Sequence, residues 1–362
     1  MLGFKKTYVL PFKFEIPNYA HDFLAKQSLI KPLFKYIKRF LYISLKRQRQ
    51  LEVSKILDKH QNILWLNFSA PSLGDSLMDL SSRILLSDRK IDLLTDKKNV
   101  LLYTNDTIFS SAYSRIDDVI KNSYDLVIVD SYSTRSIKIK NQSMPSTPFI
   151  GMYGYYNGPE VNRVLYSFHR INSLLGYIKS ESEINRMAKS SISISIQDQA
   201  IIKKLTLSEK YITIALGGEW QYRSYKNWPQ LIEKLLIENS KLNIVLIGSN
   251  NADRISKKIL DRFSSYNILN CVDKFTFNQT AEIIKKAKLL ICCDGGLMHA
   301  ANAVGTKIIP LFARLEAEMQ LTQSCESYSL YDPVDVSNIL VEDIMRKYLE
   351  AISLDHNDLQ AE

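Results

Sequence analysis

Past residue 60 the chain repeats one pattern: a short apolar run, a small polar loop, then apolar residues at three- and four-residue spacing. Continuous apolar runs of this length read as parallel strands buried on both faces, and the spaced stretches read as the helices that cross between them. Residues 62–68 predict a first strand, 69–75 a loop, and 76–86 a helix with Leu77, Leu80, Ile84 and Leu85 as its apolar stripe. Further strand-like runs lie at 91–94, 100–103, 126–129 and 148–152, with a helical interval at 108–121. Residues 161–175 predict a helix, and 190–195 alternate like a strand or an extended connection. The pattern then restarts. Strands are expected at 211–216, 243–248, 268–272, 289–293 and 308–312, and helices at 228–239, 252–263, 277–287 and 296–304. A last helix is expected over 341–352, with a polar tail from residue 353. No internal repeat is evident.

This alternation predicts an α/β architecture of two Rossmann-like domains, with a boundary near 195–208. The expected divisions are an N-terminal extension over 1–60, a first domain over 61–205, a second over 206–335, and a C-terminal helix and tail over 336–362. Ligands of such sheets sit beyond the carboxyl ends of the strands. The loops 69–75, 217–227, 248–252 and 294–298 all follow strands, and in two facing domains they would line one interdomain cleft.

The most informative of these loops follows the run Leu289-Leu290-Ile291-Cys292-Cys293. There Asp294, Gly295 and Gly296 lead straight into a helix carrying Leu297, Met298 and His299 and closing at Gly305. Glycines let a ligand approach the backbone, and a helix N-terminus offers unpaired N–H groups and a positive dipole end. Together they make a seat for a phosphate-bearing ligand. Any doubly wound sheet has such turns, so a purely structural role stays open. Asp75, at the mouth of the first loop, reads either as a cap for a helix starting at Ser76 or as a functional carboxylate. Lys226 and Arg223 read either as solvated loop residues or as anion-binding cations. Asp253 fits an ordinary helix N-terminus as well as a ribose contact. The stretch Tyr153-Gly154-Tyr155-Tyr156-Asn157-Gly158 fits an aromatic loop packed on the core or an acceptor surface.

Three ordered motifs resemble glycosyltransferase family 9, the bacterial lipopolysaccharide heptosyltransferases and their relatives. Residues 294–305 are similar to the family's D-[ST]-G-x-x-H-x-A-x-A-x-G signature, with Gly295 in place of the usual Ser or Thr. Ser72-Leu73-Gly74-Asp75 is similar to its S-x-G-D loop, and Gly217-Gly218 through Lys226-Asn227-Trp228-Pro229 to its G-x-x-x-x-K-x-W-P segment. The resemblance covers roughly residues 62–350. It implies a GT-B fold and inverting, metal-independent transfer of a sugar from a nucleotide-diphosphate donor, ADP-heptose or similar. It needs no cofactor. The acceptor would be a lipooligosaccharide core, a capsule or another surface glycan, oligosaccharide or lipid-linked.

On that resemblance Asp75 is the general base and Lys226 holds the diphosphate with the backbone of Gly295, Gly296, Leu297 and Met298. His299 reaches a phosphate or the donor sugar; Arg223 is a second candidate cation that matches no position of the family's motif. Asp294, Gly217, Gly218 and Asp253 shape the donor side, while Ser72, Gly74 and Tyr155 belong to the acceptor side. Other sugar-nucleotide chemistry, such as an epimerase or a pyruvyl transferase, and a non-catalytic sugar-nucleotide-binding protein stay as alternatives. Glycine at 295 removes a hydroxyl donor, which leaves the donor sugar open.

Composition narrows the picture further. The 362 residues are 46% hydrophobic and 23% charged, as in a globular protein. No window approaches 18 uninterrupted apolar residues, and the first residues lack a signal-peptide pattern, so a cytoplasmic protein is expected. Cys271, Cys292, Cys293 and Cys325 show no metal-binding spacing and read as reduced thiols, so no metal is expected. The net charge of +9 is concentrated. Residues 26–60 hold ten Lys or Arg against Glu52 and Asp58, interleaved at helical spacing with Ile30, Leu33, Phe34, Ile37, Phe40 and Leu41. Such a helix either lies on an anionic membrane surface, peripheral at the inner face, or packs on the body of the protein. Nothing in it matches a nucleic-acid-binding motif, so no nucleic-acid partner is expected.

Overall fold

The computed structural model describes residues 30–156 and 161–358, with side chains to residue 353. The start of the basic extension (Lys26 included), Asn157 and Gly158 lie outside the described residues. The chain divides into two compact units, residues 1–190 and 191–362.

The first unit is built on a five-stranded, wholly parallel sheet of order β3-β2-β1-β4-β5. Its strands are β1 (Asn62–Asn67), β2 (Lys90–Thr95), β3 (Phe109–Tyr113), β4 (Leu126–Val129) and β5 (Phe149–Gly151). Before them comes helix α1 (Ile30–Leu45), and among them α2 (Leu73–Asp79), the single turn α3 (Ile116–Val119) and α4 (Thr134–Ser143). Helices α5 (Arg163–Leu174) and α6 (Glu181–Met187) close the unit. Ile43 of α1 is fully buried and joins Leu64, Val127 and Phe149 in the core. Arg39 donates to the carbonyls of Gly154 and Tyr156 at 3.1 and 3.2 Å, and the Tyr36 ring lies 5.1 Å from that of Tyr155. One face of the basic helix is therefore packed on the body.

Three elements of this unit differ from the sequence reading. The helical interval at 108–121 is strand β3 followed by one turn. Phe109 is buried while the residues after it are half-buried or exposed, as an edge strand requires, and the segment pairs with β2. The apolar run at 100–103 is a 3₁₀ turn, Val100–Leu102, not a strand. The helix expected over 76–86 begins earlier, at Leu73, and gives way to a 3₁₀ segment, Ser81–Leu86.

The second unit holds a six-stranded parallel sheet of order β11-β10-β9-β6-β7-β8. The strands are β6 (Ile212–Ala215), β7 (Ile244–Ile247), β8 (Ile268–Asn270), β9 (Leu290–Cys293), β10 (Ile308–Ala313) and β11 (Leu330–Asp332). Helices α7 (Ile196–Lys203), α8 (Trp228–Glu238), α9 (Asp253–Arg262), α10 (Phe277–Lys286), α11 (Gly296–Val304) and α12 (Val341–Asp358) accompany them. Apolar clusters cover both faces of the sheet, one around Trp228 and Leu235, the other around Ile284 and Ala300. Helix α7 packs here, because Ile202 is buried in the second cluster and Asp198 accepts from Gln279 at 2.9 Å. Residues 190–195 form no strand, and the last helix continues past residue 353. The four cysteines are free.

Lys140 of α4 is fully buried and pairs with no carboxylate among the described residues. Its ammonium donates to Gln48 Oε1 at 2.5 Å and lies 5.0 Å from the Phe149 ring. Burial pulls its pKa down from 10.5 to about 8. The folded-state value lies below the unfolded one, so between about pH 8 and 10.5 the unfolded chain binds more protons. Stability from this group therefore rises with pH through that window, and below it the cost of the buried charge is complete. Denaturant titration is expected to show a gain of about 1–2 kcal/mol from pH 8 to 10, absent in Lys140→Met. Above pH 10 the buried phenols of Tyr103 and Tyr166, whose pKa values burial raises, act in the opposite direction. An equal rise in the Met variant would reject the assignment.

Candidate active site

In the first unit the site begins where β1 ends. Asp130, just past β4, accepts from the backbone N–H of Phe68 and Ser69 at 2.8 and 2.7 Å, which fixes the start of the loop. Ser72 then caps helix α2: its hydroxyl accepts from the Asp75 N–H at 3.1 Å and donates to Asp75 Oδ2 at 2.6 Å. Asp75 is thus not the cap of a helix starting at Ser76. It is the third residue of a helix that Ser72 starts, with its carboxylate projecting from the first turn, where negative charge suits the dipole.

The other Asp75 oxygen accepts from Arg163 Nη1 at 2.5 Å. Arg163 also grips Asp79, one turn further along α2, through Nε at 2.8 Å and Nη2 at 2.5 Å. Tyr153 completes the cluster by donating to Asp79 Oδ1 at 3.0 Å. Burial works against the Arg163 charge, but Asp79 and Asp75 outweigh it and hold the guanidinium well above its ordinary value. Burial and the Asp79 charge push the Tyr153 phenol far up, so it remains a donor. Arg163 and Asp79 were absent from the sequence reading, and Tyr153 entered it only as part of the aromatic stretch 153–158, not as a partner of Asp79. The one available signal was spacing: Asp75 and Asp79 are four apart, which places two carboxylates on one helix face and calls for a cation. Tyr155 is half-buried, its ring 4.7 Å from that of Tyr132. Gly74 is buried inside α2.

In the second unit the loop after β6 opens on Gly217, whose φ of 87° is a left-handed conformation that favours glycine. At Gly218 a Cβ would lie 2.4 Å from the Arg223 carbonyl oxygen, so the chain closes on itself too tightly for a side chain. The far end of the loop is pinned by buried Tyr225, which donates to the Ile339 carbonyl at 3.1 Å, and by buried Trp228. Lys226, between these two anchors, is exposed and makes no ion pair among the described residues.

Arg223 turns toward the glycine turn after β9 and pairs with Asp294 at 3.1 Å, Asp294 itself being buried. The sequence motifs at 217–227 and 294–299 therefore meet through this pair. Helix α11 starts at Gly296 with Gly295 as its cap residue. The amides of Met298 and His299 already donate to the Gly295 carbonyl, at 3.1 and 3.3 Å. Of the backbone groups expected to face a phosphate, the Met298 amide is taken and the Gly295 carbonyl is its acceptor, while the amides of Gly296 and Leu297 have no partner among the described residues. His299 is only 4% exposed, so its ring offers little surface to a ligand. Asp253 is exposed and paired with Lys257 at 2.7 Å, as an ordinary first-turn residue of α9.

A cavity of about 560 Å³ in the second unit is lined by Trp220, Gln221, Tyr222, Arg314 and Asp335. The Arg314 guanidinium stacks 4.0 Å from the centre of the Tyr222 ring, and Arg223 approaches the same ring at 5.4 Å. All five lining residues follow carboxyl ends of strands, where ligands of parallel sheets bind. Arg314 lies in no recognisable motif, and Tyr222 occupies an unspecified position within the 217–229 segment. The second unit thus presents two helix-terminal amides without a partner among the described residues and an exposed Lys226, and separately a partly aromatic hollow where Arg314 and Arg223 approach the Tyr222 ring. Such a surface suits an anion joined to a sugar-sized group.

The model of glycosyltransferase family 9 (heptosyltransferase) matches residues 147–325. No curated protein matches the chain. Among solved structures, the chain is similar to a glycosyl transferase family 9 protein from Veillonella parvula DSM 2008, at 14% identity and a TM-score of 0.68 over 82% of this chain and 98% of that one. It is also similar to the ADP-heptose LPS heptosyltransferase II of E. coli, at 18% identity and a TM-score of 0.64 over 82% and 99%. The E. coli heptosyltransferase WaaC solved with ADP follows at 14% identity and a TM-score of 0.59 over 80% and 97%. At these identities the likeness is one of fold, two parallel α/β units in the same order.

Proposed function

The chain carries a glycosyltransferase family 9 domain, and we propose that it transfers a sugar, with inversion at the anomeric carbon, from a nucleotide-diphosphate donor to a surface-glycan precursor. The observation that carries this reading is the turn at 294–296, where the Gly296 and Leu297 amides have no partner among the described residues and buried Asp294 pairs with Arg223, which ties the turn to the loop that carries exposed Lys226. Lys226 and the amides of Gly296 and Leu297 stabilise the negative charge that grows on the leaving diphosphate. Fixed positive groups of this kind remove the need for a metal ion, and turnover is accordingly unaffected by a chelator. The acceptor hydroxyl gives its proton to Asp75 while its oxygen bonds to the anomeric carbon, and the bond to the nucleoside diphosphate breaks on the opposite face. The cavity beside Trp220 and Tyr222 takes the sugar. The acceptor is a lipooligosaccharide core, capsule or related glycan, met at the cytoplasmic face of the membrane. ADP-heptose is the first donor to try, because the WaaC structures hold ADP and an ADP-2-deoxy-2-fluoro heptose.

The donor is identified by thermal unfolding with ADP-, GDP-, UDP- and CMP-sugars, a ligand at about 100 times its Kd adding about 2.7 kcal/mol. Gly295→Ser sharpens the test. A Cβ at Gly295 meets nothing within 4 Å, and its φ of 169° is extended backbone that serine adopts freely. The variant is expected to fold, to gain about 0.4–1 kcal/mol by stiffening the unfolded chain, and to bind the donor about 2–10-fold more tightly through the added hydroxyl. If no nucleotide sugar raises the midpoint, the proposed activity is wrong. If one does but Gly295→Ser binds it no better, the diphosphate lies elsewhere.

A further inference from the structure

Helix α1 has two faces, and only one of them packs on the other described residues. Pro32, Arg39 and Ile43 are buried against the first unit. On the other side Ile30, Leu33, Phe34, Ile37, Leu41 and Leu45 are 38–79% exposed. At helical pitch these six fall within an arc of about 120°, a continuous apolar stripe along the whole element. Lys31, Lys35 and Lys38 are exposed and make no ion pair among the described residues, and they run along one flank of the stripe. Lys46, Arg47 and Arg49 extend the positive charge beyond the helix end, and all three are exposed.

An exposed apolar stripe of this length is costly in water and normally marks a docking surface. The lysine flank selects among occupants. A protein partner would bury the stripe and leave the cations to be matched one by one. A bilayer takes the apolar side chains among its acyl chains while its anionic headgroups meet the lysines at the interface. Among the described residues no helix is long and apolar enough to cross a membrane, which leaves the in-plane geometry. We infer that α1 lies in the interface of an anionic membrane, with Phe34, Ile37 and Leu41 inserted and Lys31, Lys35 and Lys38 at the headgroups. The opposite face of the helix is fixed to the body by Ile43 and by Arg39, so the first unit is held at the surface through a rigid element. The inference does not depend on the donor, because vesicle binding needs no sugar.

The test is flotation of the full chain with vesicles of phosphatidylcholine alone or with about one-third phosphatidylglycerol, at low and high salt. Two variants accompany it: Leu33→Ser/Phe34→Ser/Ile37→Ser/Leu41→Ser, and Lys31→Glu/Lys35→Glu/Lys38→Glu. All seven side chains are exposed, so both variants are expected to keep the parent unfolding midpoint. The parent is expected to float with the anionic vesicles, less so at high salt, and each variant to partition at least about ten-fold more weakly. Failure of the parent to float overturns the inference. So does a parent that self-associates in sedimentation through the apolar residues without binding vesicles. Binding lost in the charge variant but kept in the serine variant also overturns it, since it reveals a polyanion site rather than an inserted helix.

Discussion

Asp75→Asn is expected to lower turnover by about 10²–10⁴-fold while the donor still binds with the parent affinity. The substitution keeps size and shape but removes the capacity to take up a proton. The Asp75 carboxylate has one oxygen on Arg163 and the other on the Ser72 hydroxyl, at 2.5 and 2.6 Å. A carboxylate has about four lone-pair sites, so about two remain for the acceptor hydroxyl. The clamp fixes the direction of those sites, which is what a base within a single hydrogen bond of its substrate needs. Donor groups are assigned to the second unit, whose fold does not involve Asp75, so the effect falls on kcat rather than on donor binding. The check is a pair of measurements on one preparation: initial rates at saturating donor and acceptor, and donor Kd by calorimetry. Turnover within about three-fold of the parent would remove Asp75 from the chemistry and leave it a partner of Arg163.

Much of the sheet framework was readable from the chain because parallel strands are buried on both faces. Residues 63–66, 126–129, 244–247 and 290–293 are apolar without a break, and each is a buried strand. Legibility fails at the sheet edges. Strand β3 is half polar because one side of it has no neighbour, whereas the apolar run Val100–Leu102 is a short turn with Leu102 buried. Strand β11 is three residues long and set by pairing with β10, not by its own pattern. The same distinction governs the site. Residues 72–75, 217–228 and 294–299 are each contiguous, with their geometry imposed by local caps and glycines, so their form could be anticipated. Arg163 is 88 residues from Asp75 and stands in no motif; only tertiary contact makes it part of the site. Arg314 is similar, a non-glycine residue at φ 64° whose cation is placed over Tyr222 by the fold alone.

Arg163→Met is expected to be among the most damaging single changes in the first unit, costing about 3 kcal/mol and abolishing transfer. The guanidinium is the cation between two carboxylates on one helix face, and Asp79 is only 5% exposed at its side chain. Removing it leaves Asp79 with the Tyr153 hydroxyl as its remaining side-chain donor, and strips Asp75 of the bond that sets its direction. Truncating one member of a buried charge cluster costs more than the cluster contributes, because the stranded charge stays behind. The partly exposed Asp75 can recover water, which places the estimate at the lower end of the usual 3–5 kcal/mol. Neutralising the stranded charge offers a separate readout. In Arg163→Met/Asp79→Leu the loss of stability is expected to shrink, with a coupling of about 1–3 kcal/mol, while transfer stays absent because Asp75 is still unclamped. Arg163→Lys retains a charge but not the fork that spans both carboxylates, so it is expected to recover stability more than turnover. Denaturant unfolding of these proteins and of the single Asp79→Leu variant that closes the cycle, with rates on each, decides the matter. Additive destabilisation in the double variant, or Arg163→Met within about 1 kcal/mol of the parent, would show that the two carboxylates do not depend on this cation.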